Sequence, residues 1–287
     1  MISAFCPGHV SCVFQPMTSF DSMSAGSRGI GIRLDKGATA TVEPRDDGVV
    51  NIYLDGSQSI AHITRMVAEM MAPGVGMDIR ITNDLPVSQG FGMSAAGAIA
   101  TGMCIAELTG QTRFDAFKAA HIAEVNGSGG LGDVAAIVAG NDIPVRTVPG
   151  LPPFGKVENA DFRIEKLTLA VIGGEMKTDS VINDPVKLKR LRDAALVSMD
   201  RFIEDPTYES LFDVSNQFSA TSGLESPAIR RGITSLRERG FHAGMCMLGN
   251  SIFTDAPEKD VWSLFGRGHA RTFRCSSSRK AIVTRRV

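Results

Sequence analysis

The sequence predicts an α+β fold built in two parts. Three observations carry that reading: the first 57 residues are rich in β-formers broken by glycine or charged turns, helical spacing dominates afterwards, and Pro149-Gly-Leu-Pro-Pro153 interrupts the chain near its middle. Strands first, then mixed helix and strand, argue against the regular alternation of a parallel βαβ sheet.

In chain order, strands are predicted over 2–6, 29–34, 38–43 and 49–54, with turns at Asp35-Lys-Gly37 and Asp46-Asp-Gly48. Ile60, Ile63, Met66, Val67 and Met70 fall at helical spacing, so 59–71 is predicted helical, capped by Ser57 or Ser59. A strand follows over 77–82, then helices over 94–109 and 114–125. Beyond the proline stretch come a strand over 162–173 and helices over 185–204, 207–222 and 226–238. Residues 245–253, 261–265 and two short C-terminal runs read as mixed strand and helix. Met66, Met70, Met71, Met245 and Met247 read as core filler.

Composition narrows the function classes. With 287 residues and a net charge of −1, the chain has room for two domains and no global attraction to nucleic acid or membrane. Five cysteines without a C-x-x-C spacing suit reduced thiols, and five dispersed histidines give no zinc pattern. No apolar span approaches membrane length, so a cytoplasmic protein is expected. The basic run Arg267, Arg271, Arg274, Arg279, Lys280, Arg285 and Arg286 reads as solvated charge on an edge strand rather than a polyanion site.

The segment that speaks of chemistry is Pro86-Val-Ser-Gln-Gly90-Phe-Gly92-Met-Ser94-Ala-Ala96. Gly90 and Gly92 let backbone approach a ligand, and Ser94 is placed to cap the alanine-rich helix that follows. A glycine loop feeding a helix start gathers unpaired N–H groups and the positive dipole end, a site for phosphate. Two other readings stay open: a plain tight turn before a packed helix, and a dinucleotide loop, since Gly90, Gly92 and Ala95 satisfy G-x-G-x-x-A. The dinucleotide reading needs a strand running into its first glycine, which the 77–82 strand does not supply. Gly150-Leu-Pro-Pro-Phe-Gly-Lys156 mimics a Walker A loop, but Val157 replaces the hydroxyl and two prolines remove donors. A second cluster follows: His121 and Glu124 share a helix face, and Asp133 comes after a glycine-rich turn, either as a helix cap or as a site carboxylate.

The spacing of Pro86, Gly90, Phe91, Gly92, Met93, Ser94 and Ala95 resembles the phosphate loop of the GHMP kinases, with Phe91 and Met93 where that family favours Leu and Ser. The order of phosphate loop, helix with Glu124 and glycine turn with Asp133 extends the resemblance, as does Gly26-Ser-Arg-Gly-Ile-Gly31 in the second strand. The resemblance implies a two-domain fold with mixed sheets and helices and an active site in the cleft between domains, residues 1–148 binding ATP and 149–287 forming the C-terminal domain. It implies an ATP-dependent kinase using Mg²⁺, held through Ser94 and Glu124, with Asp133 facing the attacking hydroxyl and Ser94 near the phosphate. A small hydroxy acid is the implied substrate, with Ser27, Arg28, His121 and Arg146 to hold it and His9 in reserve. The last glycine-rich motif is thinned to Gly244-Met-Cys-Met-Leu-Gly249, and no lysine precedes Lys36. The implied partner is that small molecule, with no nucleic acid or membrane, and a homodimer is in keeping with many relatives. A non-catalytic nucleotide-binding protein is the alternative.

Overall fold

The computed structural model describes residues 1–127, 130–176 and 184–287. Two of the glycine-turn positions, 128 and 129, lie outside the described residues.

The strands predicted near the N-terminus are pieces of one long antiparallel ribbon, β1 (Ile2–Met17) and β2 (Gly26–Arg45). The ribbon is longer than expected because Pro7, Gly8 and Cys12 do not break it. The register instead shifts between Pro7 and His9 and between Ser11 and Val13, so the strand bulges and continues. Then come β3 (Val50–Leu54), β4 (Ser57–Gln58), α1 (His62–Met71) and β5 (Gly76–Asn83). Helix α1 starts later than predicted: Ala61 stands at its N-cap with φ +35°, and neither Ser57 nor Ser59 caps it. Ser59 Oγ accepts only from the Ala61 N–H.

Helices α2 (Met93–Thr109), α3 (Arg113–Asn126) and α4 (Asp133–Val138) precede β6 (Pro144–Val148) and β7 (Lys156–Asn159). In α3, Thr112 and Asp115 form a reciprocal capping box. Strand β8 (Leu167–Val171) is shorter than the 162–173 expected, and three capped helices follow: α5 (Pro185–Glu204), α6 (Tyr208–Ser222) and α7 (Pro227–Glu238). The chain ends with β9 (Ala243–Cys246), β10 (Ser251–Thr254), α8 (Glu258–Phe265), β11 (Arg271–Cys275) and β12 (Val283–Arg286).

One sheet runs β12-β1-β2-β5-β3-β4, with β6 pairing the start of β2 and β7 pairing β6; the other runs β11-β8-β10-β9. This is the mixed α+β architecture expected. Helix α2 is buried nearly all round, as its small residues permit, and packs on β1, β2, α1 and α3. The basic C-terminal run supplies β12, an edge strand on β1, while Arg279 Nε donates to buried Asp142 Oδ2 at 2.7 Å. Met71, Met245 and Met247 are core residues, but Met70 is exposed. No helix among the described residues is long and apolar enough to cross a membrane.

Candidate active site

The glycine loop is shaped by left-handed backbone at Ser88 (φ +59°), Gly90 (φ +75°) and Gly92 (φ +67°). Gly92, not Ser94, is the N-cap of α2, and no side chain caps that helix. The left-handed glycine turns the chain so sharply that the helix begins at Met93, leaving the Ser94 hydroxyl exposed at its mouth. Phe91 and Met93 are buried, Phe91 edge-on to Phe273 of β11, so the family's usual Leu and Ser positions serve here as anchors. The loop sits on the β1 bulge: the His9 N–H donates to Phe91 O at 3.1 Å, and a Cβ on Gly8 would overlap Phe91 O and Met93. A cavity of about 230 Å³ opens beside it, lined by Leu54, His62, Asn83, Val87 and Ser94 among others.

Next to that seat lies a buried polar cluster. Ser27, Gly29 and Gly31 alternate along one face of β2. A Cβ on Gly29 would strike the Arg146 guanidinium, and one on Gly31 would strike the His9 imidazole. The two glycines therefore vacate the room that two large polar side chains fill. Gly132 plays the same part, since a Cβ there would meet Ser27 Oγ and Arg146 Nε.

Asp133, the first residue of α4, does not cap its own helix. Its Oδ1 lies 2.7 Å from His9 Nδ1, and its side chain is 19% exposed while His9 is fully buried. The capping falls to Glu124, which accepts from Asp133 N at 3.1 Å and Val134 N at 3.4 Å. Burial, reinforced by the neighbouring Asp133 charge, pushes the Glu124 carboxyl up to about 8. Arg146 is the buried cation facing both acids: Nη1 lies 3.4 Å from His9 Nε2, and Nη2 donates to Ser11 Oγ at 3.5 Å. Its Nε and Ser27 Oγ are buried without a partner among the described residues. Such orphans are rare in folded proteins and point to a polar ligand.

The structure thus brings together Ser27, Arg146, Glu124 and Asp133, with Ser94 joined to them through the loop's seat on His9. His121 is buried behind the β1–β2 loop, its Nε2 donating to Ser22 O at 3.0 Å and its Nδ1 unpartnered. Burial holds its pKa below the usual imidazole value. Arg28 goes elsewhere: one residue out of phase with Ser27, it donates to Thr147 O at 3.1 Å and Gln15 Oε1 at 3.3 Å. Sequence reasoning held His9 only in reserve. The signal for it was Gly29-Ile-Gly31, since alternate glycines on one strand face vacate space for something large.

No group of three or more His, Cys, Asp or Glu side chains able to cage a metal occurs among the described residues. Mg²⁺ needs no cage, because phosphate oxygens and waters complete its shell around one or two carboxylates. The hard oxygens of Glu124 and Asp133 border the same space beside Gly130, and a cation there would relieve the repulsion that raises Glu124. The donor set fits. Helix-mouth amides, two acids and a buried guanidinium are the parts that phosphoryl transfer to an acid-bearing alcohol requires.

Residues 59–141 match the family described as the GHMP kinases N terminal domain. The chain is 30% identical over 269 residues to the pantoate kinase of Thermococcus kodakarensis, covering 88% of this chain and 87% of the relative. Among solved structures, a phosphotransferase related to the CoA biosynthesis pathway superposes with a TM-score of 0.88 at 26% identity, covering 99% and 98% of the two chains. A mevalonate kinase shares the fold at a TM-score of 0.65 and 15% identity, over 98% of this chain and 100% of that one.

Proposed function

The chain belongs to the GHMP kinases, and on that premise we propose that it uses ATP to phosphorylate the primary hydroxyl of pantoate, giving 4-phosphopantoate for coenzyme A synthesis. It is an ATP-dependent kinase. The observation that carries the choice of substrate is the pair of orphaned donors, Arg146 Nε and Ser27 Oγ, gathered at Gly132 beside Asp133. A carboxylate ligand would satisfy both, and a hydroxyl on the same small molecule would reach Asp133.

In this reading the amides of Gly90–Ala95 at the α2 mouth receive the triphosphate. Ser94 and Glu124 would hold Mg²⁺, which when bound offsets the charge of the transferring phosphoryl group. Arg146 and Ser27 hold the substrate carboxylate, and His121 Nδ1 is free to accept from a second hydroxyl. Asp133 orients the attacking hydroxyl and takes its proton. Residues 1–148 supply loop, acids and Arg146, whereas 149–287 brace the loop; we propose this as the division of labour between two domains. The cytoplasm suits such an enzyme.

The test is ADP release with Mg-ATP across pantoate, homoserine and mevalonate. Pantoate is expected to exceed the others in kcat/KM by at least about tenfold, because a site built around a buried guanidinium discriminates strongly. Preference for mevalonate would reassign the substrate, and ATP binding without ADP formation from any acceptor would leave a non-catalytic nucleotide binder.

A further inference from the structure

One imidazole in the cluster has no part in the transfer just described. We propose that His9 is a positioning residue, fixed as its Nδ1–H tautomer, which donates to Asp133 Oδ1 and so reserves Oδ2 for the proton of the acceptor hydroxyl. This rests on the kinase reading above.

The tautomer follows from the neighbours. A guanidinium only donates, so the imidazole nitrogen facing it must accept. That nitrogen is Nε2, 3.4 Å from Arg146 Nη1. The ring proton is therefore on Nδ1, 2.7 Å from Asp133 Oδ1. A doubly protonated ring would turn an N–H toward the guanidinium inside a fully buried site, and burial accordingly holds the His9 pKa below its usual value. The ring cannot swing away, since it fills the space left by Gly31. Its backbone is pinned as well: the His9 N–H donates to Phe91 O, and Gly92 packs directly on the His9 main chain. One residue thus sets the phosphate loop and the acid relative to each other.

The consequence for the chemistry is directional. Asp133 Oδ2 accepts no hydrogen bond from any described residue; it lies close against Gly130, where a Cβ would strike it, and the side chain stays partly exposed. As the acceptor oxygen attacks, its O–H bond breaks and the proton goes to Oδ2. The freed electron pair forms the new O–P bond, and the bridging oxygen of ATP leaves with the old one as ADP. Nδ1 already carries a hydrogen, so the proton is not passed on to His9. The imidazole orients the carboxylate and leaves it anionic until Oδ2 takes that proton.

Two measurements test this. In wild-type protein with ¹⁵N-labelled histidine, the signals absent from His9→Asn should show a protonated Nδ1 and a bare Nε2 at pH 7. An Nε2–H tautomer or an imidazolium would overturn the proposal, whatever the substrate proves to be. In kinetics, His9→Ala should lower kcat about a hundredfold with KM for both substrates within about threefold, the scale of a lost acid–base geometry. His9→Asn, whose amide can donate from the place of Nδ1, should recover at least about tenfold of that loss. A raised KM with kcat retained would make His9 a substrate ligand instead. Should His9→Ala fail to fold, the wild-type spectrum and His9→Asn decide. Poor turnover of pantoate by the wild type would count against the kinase reading and not against the tautomer.

Discussion

Glu124 shows how far burial reshapes a single residue. Its side chain, on α3, is buried beside Asp133, and these surroundings outweigh the two backbone N–H groups and Arg146 that favour its anion. An acid raised from 4.5 to about 8 on folding keeps its proton in the native state while the unfolded chain has lost it. The stabilisation is fully present below the unfolded value and is lost as pH climbs toward 8. Glu124→Gln cannot lose that proton. Without nucleotide or metal, its stability relative to wild type should therefore rise between pH 5 and pH 8, read from urea midpoints with unchanged slope. Parallel profiles for the two proteins would show that Glu124 is ionised throughout. The same variant should be impaired as a kinase, because the amide is a poor ligand for a hard cation.

Among elements, the glycine loop depends on a neighbour that the sequence made look weak. The thinned motif Gly244-Met-Cys-Met-Leu-Gly249 does not approach as a second cradle; it lies under the loop. Gly90 packs on the carbonyls of Cys246 and Met247, Gly249 packs on Gln89 and Gly90, and Ser251 Oγ donates to Gln89 O at 2.5 Å. A methyl group at 249 would overlap the Gln89 carbonyl. Gly249→Ala should consequently raise KM for ATP about tenfold and cost about 1 to 3 kcal/mol of stability, as overpacking against backbone does, while KM for pantoate changes little. Equal effects on both KM values would mean the brace serves the whole cleft. Elements with chemical punctuation were legible in the sequence. Helices α5, α6 and α7 start at Asp184-Pro185, Thr207 and Ser226-Pro227, where side chains do cap. The β1–β2 ribbon was not legible, because a bulge leaves no local mark that separates it from a turn. Nor was the α2 start, where left-handed Gly92 displaced the expected Ser94 cap.

At the scale of the molecule, the candidate site was legible as a set of residues but not as a set of contacts. Ser27, Glu124, Asp133 and Arg146 could be named from motif order; that His9 touches Asp133 could not, since 124 positions separate them and only the register of β1 brings them together. The same long-range closure ties the ends of the chain. β12 joins β1, β7 joins β6, and the turn before β12 is gripped by Arg33, a buried residue of β2. Its guanidinium donates to Ile137 O at 2.8 Å and to Ser278 O and Lys280 O at 2.7 Å each. These bonds fasten the C-terminal segment to the end of α4, the helix that carries Asp133. Arg33→Met fills similar space but leaves the Ser278 and Lys280 carbonyls without a donor, whereas Ile137 O keeps the Gly140 N–H at 3.2 Å, and each such loss costs about 1 to 3 kcal/mol when no water can enter. The expected loss is about 2 kcal/mol or more, seen as a lower urea midpoint, with hydrogen exchange accelerated first in 278–286. Arg33 lies opposite His9 in the β1–β2 pairing, but its guanidinium donates only to Ile137, Ser278 and Lys280, so kcat measured where the variant is still folded should stay within about threefold of wild type, as for a residue whose hydrogen bonds act on stability. A loss of less than about 1 kcal/mol would mean that water satisfies those carbonyls and that the C-terminal strand is held by its pairing with β1 alone.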